Sequence, residues 1–153
     1  MELRKLKLGK SGVTLVSVTR EGEEGETTIE HHIHSPHAPH PDLVEAMAGL
    51  LQPAMAFLQL PASYHADLSV SSVHVSAQKD EQRGLVVNLT KKLKGSSRPL
   101  NLSTPLLVET EDDGGDWQDL WDGLARIEAE AQAYVTGKRA QGELALEPAG
   151  VEG

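Results

Sequence analysis

Apolar and polar positions alternate by twos through most of this chain and by threes and fours in only two stretches. Alternation by twos is the mark of a strand with one face buried; steps of three and four mark one side of a helix. ELRKLKLGKSGVTLVSVTR reads as a hairpin with its turn at Lys10-Ser11-Gly12, in which Val13, Leu15 and Ser17 alternate with Thr14, Val16 and Val18. REGEEGE is a second turn, and TTIEHHIH a third strand with Ile29, His31 and Ile33 on one face and Glu30, His32 and His34 on the other. Further on, ADLSVSSVHVSAQ is a fourth strand. Leu68 and Val70 share one parity and Val73, Val75 and Ala77 the other, so a bulge or strong twist is expected at Ser71-Ser72. GLVVNLTKKL is the fifth, with Leu85, Val87, Leu89 and Leu93 on one face. PLNLSTPLLV is the sixth, with Leu100, Leu102, Leu106 and Val108 on one face and edge character from Pro99 and Pro105.

The first helical stretch begins at Pro41, whose fixed φ suits a first turn, with Asp42 at the positive end of the helix dipole. Leu43, Met47, Leu50, Leu51 and Ala54 form its apolar side, and Pro53 is expected to kink or break it. The second is the strongest periodic signal in the chain: Asp116 as cap, then Trp117, Leu120, Trp121, Leu124, Ile127, Ala131, Tyr134 and Val135, with Gly137 as the stop. The order β-β-β-α-β-β-β-α predicts a single α+β domain over residues 1–137. Its antiparallel sheet has about six strands, with the two amphipathic helices packed on it. Residues 138–153 are expected to be a flexible tail.

Composition narrows the chemistry. The chain of 153 residues contains no cysteine, which excludes disulfides, thiolate metal sites and cysteine nucleophiles. No stretch reaches the roughly 18 to 20 apolar residues of a membrane span, and no apolar segment follows the basic start as in a signal peptide. A cytoplasmic protein is therefore expected. The net charge of −9 is unevenly spread: residues 1–20 carry +4, 21–78 carry −8, 79–98 carry +4 and 99–153 carry −9. Overall acidity argues against a general nucleic-acid coat, while two basic segments leave room for local phosphate contacts.

The histidine run His31, His32, His34, His37 and His40 is the most conspicuous local feature. His32 and His34, two residues apart on one strand face, have a chelating spacing, but a metal site would need a third ligand, such as His65 or His74. Without one the run reads as a strand end, a proline-stiffened link and a helix start, and no metal or other cofactor is expected. The acidic loop ETEDDGGD lacks the spacing of a calcium loop. No G-x-S-x-G elbow, phosphate-binding glycine loop or dinucleotide fingerprint occurs, so no catalytic residues are assigned. The basic residues Lys91, Lys92, Lys94 and Arg98, around one tight turn, are the candidate nucleic-acid contacts; Arg4, Lys5, Lys7 and Lys10 form a comparable set on the first strand.

Three stretches, PHPDLVEAMAGL, LTKKLKGSSRPLNLSTPLL and LWDGLARIEAEAQAYVTGKRAQGEL, together resemble small uncharacterised proteins of tailed-phage and prophage recombination and replication gene clusters. The shared pattern is a helix opening H-x-D/E-L, a strand pair of the form KKL–turn–LNL–TP, and a closing amphipathic helix ending in G-K. The histidine run has no counterpart in that pattern. The resemblance implies a non-enzymatic accessory protein. It would bind single- or double-stranded DNA, or a protein of the replication and recombination machinery. An inhibitor of a host protein, docking through acidic surfaces such as Glu109 to Asp122, is the alternative. A homo-oligomer, formed through an exposed strand edge or the last helix, is also compatible with the pattern.

Overall fold

A computed structural model of the chain describes residues 2–9, 12–25, 27–77, 82–109 and 116–138. Lys10, the expected loop at 110–115 and the tail from 139 onward lie outside the described residues, as do the side chains of Asp116 and Trp117. The strands are β1 (Glu2–Gly9), β2 (Gly12–Glu21), β3 (Thr27–Ser35), β4 (Leu68–Ala77), β5 (Arg83–Lys91), β6 (Leu100–Ser103) and β7 (Leu107–Val108). The helices are α1 (Pro41–Ala48), α2 (Leu51–Phe57) and α3 (Asp116–Val135), with a 3-10 turn at Ala62–Asp67. All strand pairs are antiparallel, in the order β3-β2-β1-β4-β5-β6, with β7 also on β5. The chain therefore forms the expected α+β domain. Two three-stranded meanders are joined where β1 pairs with β4 through Lys5↔His74, Leu6↔Val73 and Lys7↔Ser72.

One face of this sheet is apolar and covered. Leu3, Leu6, Val13, Leu15, Val73, Val75, Leu85, Val87 and Leu89 are buried against Leu43, Met47, Leu50 and Met55 of the first helical segment and Leu120, Leu124, Ile127 and Ala131 of α3. Each such side chain contributes about 1.5–3 kcal/mol by leaving water. Of the stripe predicted for α3, Leu120, Trp121, Leu124, Ile127, Ala131 and Tyr134 are buried, while Val135 on its last turn is 38 % exposed. The parity switch in β4 is a bulge: the register shifts between Val70 and Ser72, and the Ser71 hydroxyl donates to the Asn88 carbonyl.

Two expectations are corrected. The first helix is two helices, divided at Gly49-Leu50 rather than at Pro53. A proline ring collides with the carbonyl four residues back and supplies no amide to it, so the disruption falls on Gly49. The sixth strand is likewise two. Pro105 interrupts it, and the buried Thr104 bridges the gap: its hydroxyl accepts from the Val87 amide and its own amide donates to the Val87 carbonyl, both at 3.0 Å. The interruption shifts the parity, so Leu107 is buried whereas Leu106, expected inside, is exposed. Lys138, the first residue of the expected tail, is held at 2.8 Å by Asp42 and 3.1 Å by Glu130. These bonds hold the Asp42 carboxyl below its ordinary pKa and the Lys138 ammonium above its own.

The histidine run resolves into local structural duties. His31 bonds the Thr19 hydroxyl, His34 the Thr14 hydroxyl, and His32 contacts Glu30. Tyr134 donates to the His37 carbonyl at 2.7 Å, fastening the proline link to α3. His40 caps α1, its Nδ1 accepting from the Asp42 amide at 3.1 Å.

Two backbone positions make measurable demands. Gly12 has φ +128°, and a Cβ there would stand 1.9 Å from the Ser35 carbonyl oxygen. Gly12→Ala is expected to lower stability by about 3 kcal/mol or more in urea unfolding. Helix α2 ends with the Leu60 amide bonded to the Met55 carbonyl and the Gln59 amide to the Ala56 carbonyl, which places Gln59 at φ 57°. Glycine is the ordinary residue at this left-handed position, so Gln59→Gly is expected to raise stability by about 0.5–1 kcal/mol in the same assay.

Candidate functional site: the open face of the sheet

Because all three helices lie against one face, the other face of the sheet is open. Its side chains follow from the strand registers. One row crosses all six strands: His34, Thr14, Lys7, Ser72, Asn88 and Ser103. At roughly 4.8 Å per strand the row is about 24 Å long. A second row runs beside it through His32, Val16, Lys5, His74 and Val86. Every position with a polar side chain in these rows is one that strand alternation points away from the helices.

The centre of the face is preorganised. Asn88 donates from Nδ2 to the Ser72 hydroxyl at 2.9 Å and accepts from the Ser103 hydroxyl at 2.6 Å, which ties β4, β5 and β6 together by side chains. Around this chain lies a shallow groove of about 380 Å³, lined by Lys5, Lys7, His74, Asn88, Thr90 and Asn101 among others. Partial burial, and then the charge of Lys5, hold the His74 imidazole below its ordinary pKa, so it is neutral at pH 7. The groove thus offers two ammonium groups, amide and hydroxyl donors, and a neutral imidazole that can take a proton if an anion approaches. Among the described residues it brings together no acid–base–nucleophile arrangement: the hydroxyls of Ser71, Ser72 and Ser103 are all engaged with Asn88, and His74 faces a lysine.

The predicted basic turn adjoins this face at one end. β1 finishes, β4 begins and β5 finishes at the same end of the sheet, because Lys7 opposes Ser72 and Leu68 opposes Lys91. Lys92, Lys94 and Arg98 are exposed on the loop that follows β5. The Lys92 amide is fixed to the Asp67 carbonyl, and Ser96 accepts from the Arg98 amide. Lys91 stands apart from them: it has the parity of the covered face, opposes buried Leu68, and lies 4.7 Å above the Tyr64 ring. Lys5 and Lys7, noted only as a set comparable to the turn, prove to be central. The signal that would have singled them out is their parity opposite to Leu6 and Leu8.

Other candidates are answered by their surroundings. His74 is three strands from His32, about 14 Å, too far to share an ion. Among the described residues no group of three His, Asp or Glu side chains could hold a metal ion. A larger cleft of about 500 Å³ contains Arg4, Arg20 and Arg83. There Glu2 pairs with Arg4 and Arg20, while Glu109 and Glu128 pair with Arg83, so its charges are internally satisfied. No described helix is long and apolar enough to cross a membrane.

The fold and site define an α+β protein with a one-sided antiparallel sheet whose free face is polar and locally basic. No family model, curated protein or solved structure matches the chain.

If Lys5 depresses His74 as described, Lys5→Gln will move the His74 titration upward only part of the way, because burial is the larger cause. Ring-proton NMR across pH 4–9, a range chosen around the ordinary histidine pKa of about 6.5, measures it. An unchanged or lowered value would contradict the assigned geometry.

Proposed function

We propose that this chain is a non-enzymatic accessory protein of tailed-phage or prophage recombination and replication, acting by binding the sugar–phosphate backbone of nucleic acid. The observation that carries this reading is the polar row across all six strands, with Lys5 and Lys7 at its centre and Lys92, Lys94 and Arg98 at the adjoining edge. Ammonium and guanidinium groups supply salt-dependent attraction to phosphates, while amide and hydroxyl donors fix the backbone in place. Among the described residues, no aromatic ring stands in the rows of the open face for bases to stack on. Trp121 and Tyr134 are buried under the sheet, and Tyr64 lies beneath Lys91. Recognition is accordingly of backbone rather than of base identity. The gene-cluster assignment rests on the sequence resemblance alone.

A second reading is favoured by the opposite end of the molecule. Glu21 at the end of β2, Glu23 and Glu24 on the turn after it, and Asp119 and Asp122 on α3 are exposed. This is the surface through which the protein would inhibit a basic host protein.

Fluorescence anisotropy with labelled single- and double-stranded DNA over a salt series separates the two. Backbone binding predicts affinity that falls steeply with salt, with a log–log slope of about −3 to −4.5 on duplex for up to five phosphate contacts. The triple variant Lys92→Glu, Lys94→Glu, Arg98→Glu is expected to shrink that slope by about 2–3. No binding at low salt would overturn the proposal and leave the acidic surface as the site to test.

A further inference from the structure

We propose that β3 is a homodimer interface, pairing antiparallel with the β3 of a second copy about a two-fold axis at His31. β3 is a nine-residue terminal strand of the sheet, uninterrupted by proline, lysine or bulge. Exposed edges of that kind are open templates for strand addition and are usually guarded by those devices. The opposite edge is guarded: β6 is four residues long and is cut from the two-residue β7 by Pro105. One edge of the molecule is therefore closed to pairing and the other open.

The sequence of β3, TTIEHHIHS, specifies its own partner. In antiparallel self-pairing about residue 31, positions equidistant from the centre meet. Ile29 then meets the partner's Ile33, Glu30 meets the partner's His32, Thr28 meets the partner's His34 and Thr27 meets the partner's Ser35. Each contact occurs twice by symmetry. The apolar pair falls on the covered side of the sheet and the Glu–His pair on the open side, where Glu30 and His32 are 56 % and 69 % exposed and already touch within one chain. Pairing would complete a square of two carboxylates and two imidazoles in alternation, in which each imidazole N–H can donate to a carboxylate. Moving the register by one residue would bring Glu30 against His31 in one direction or Ile33 in the other, and would separate the isoleucines of the two copies onto opposite faces.

Such a dimer keeps both helical layers on one side and joins the two open faces into one twelve-stranded surface. The interface itself does not depend on what that surface binds.

Sedimentation equilibrium of the full chain without nucleic acid is the test. A dimer of twice 16.5 kDa is expected in the micromolar range. His32→Glu sets carboxylate against carboxylate, and Glu30→Lys sets an ammonium against the His32 imidazole and leaves its N–H without an acceptor; each is expected to weaken the dimer roughly tenfold. The double exchange E30K/H32E restores opposite charges across the two-fold and is expected to restore the dimer. Both positions are exposed, and thermal unfolding of the variants verifies that the monomer fold is intact. A monomer at all concentrations, a dimer indifferent to the single exchanges, or a loss that the double exchange does not repair would each overturn the proposal.

Discussion

The three-pair seam between β1 and β4 is the contact on which the rest of the molecule depends. Each meander is a local structure, in which strands adjacent in sequence pair with each other. Leu6 and Val73, both fully buried, face each other across the seam, and their side chains give the helices a common floor. On the other side of the same seam, Lys5 and Lys7 are brought against His74 and Ser72. Core and candidate site are two faces of one strand pairing. Register errors there would exchange them, since a slip of one residue turns every side chain over.

The helical layer locks the seam from above. Tyr134 and Lys138, at the end of α3, bind the His37 carbonyl and Asp42, which belong to the entry of α1. At the other end of α3, Arg83 of β5 pairs with Glu128 and Glu109 and lies 5.7 Å over the Trp121 ring. Each half of the chain is thereby tied to the other by its helix as well as by its sheet. With one layer of helices, half of the sheet surface is left to solvent, and its polar composition follows from that exposure.

Much of this was legible in the sequence for a simple reason: period-two and period-four patterns report burial, and burial decided the elements. The bulge at Ser71, the α3 stripe and the stop at Gly137 are all direct consequences of side-chain parity or glycine geometry. The misplaced positions share a different cause. Proline acts on the carbonyl of a distant residue, so the break before α2 falls at Gly49-Leu50, and Pro105 reverses the parity of everything after it. The open face was harder to read because it is assembled from strands distant in sequence. Lys7, Ser72 and Asn88 become neighbours only once β1 has found β4, and no local spacing announces that. The same limit hid the separation of His74 from His32, and the setting of Lys91 over Tyr64 apart from the other three basic residues of its turn.

The proposed binding surface is the open face with its adjoining 92–98 loop, rather than the acidic end or the helical layer. Amide chemical-shift mapping of the labelled protein with a short DNA oligonucleotide at low salt tests it most directly. The account predicts perturbations along positions 5, 7, 72, 74, 88, 90, 101 and 103 and through the loop at 92–98, with an upward shift of the His74 titration as phosphate settles beside it. Perturbations confined to α3 or to the acidic turn at 21–25, or none at all, would contradict it.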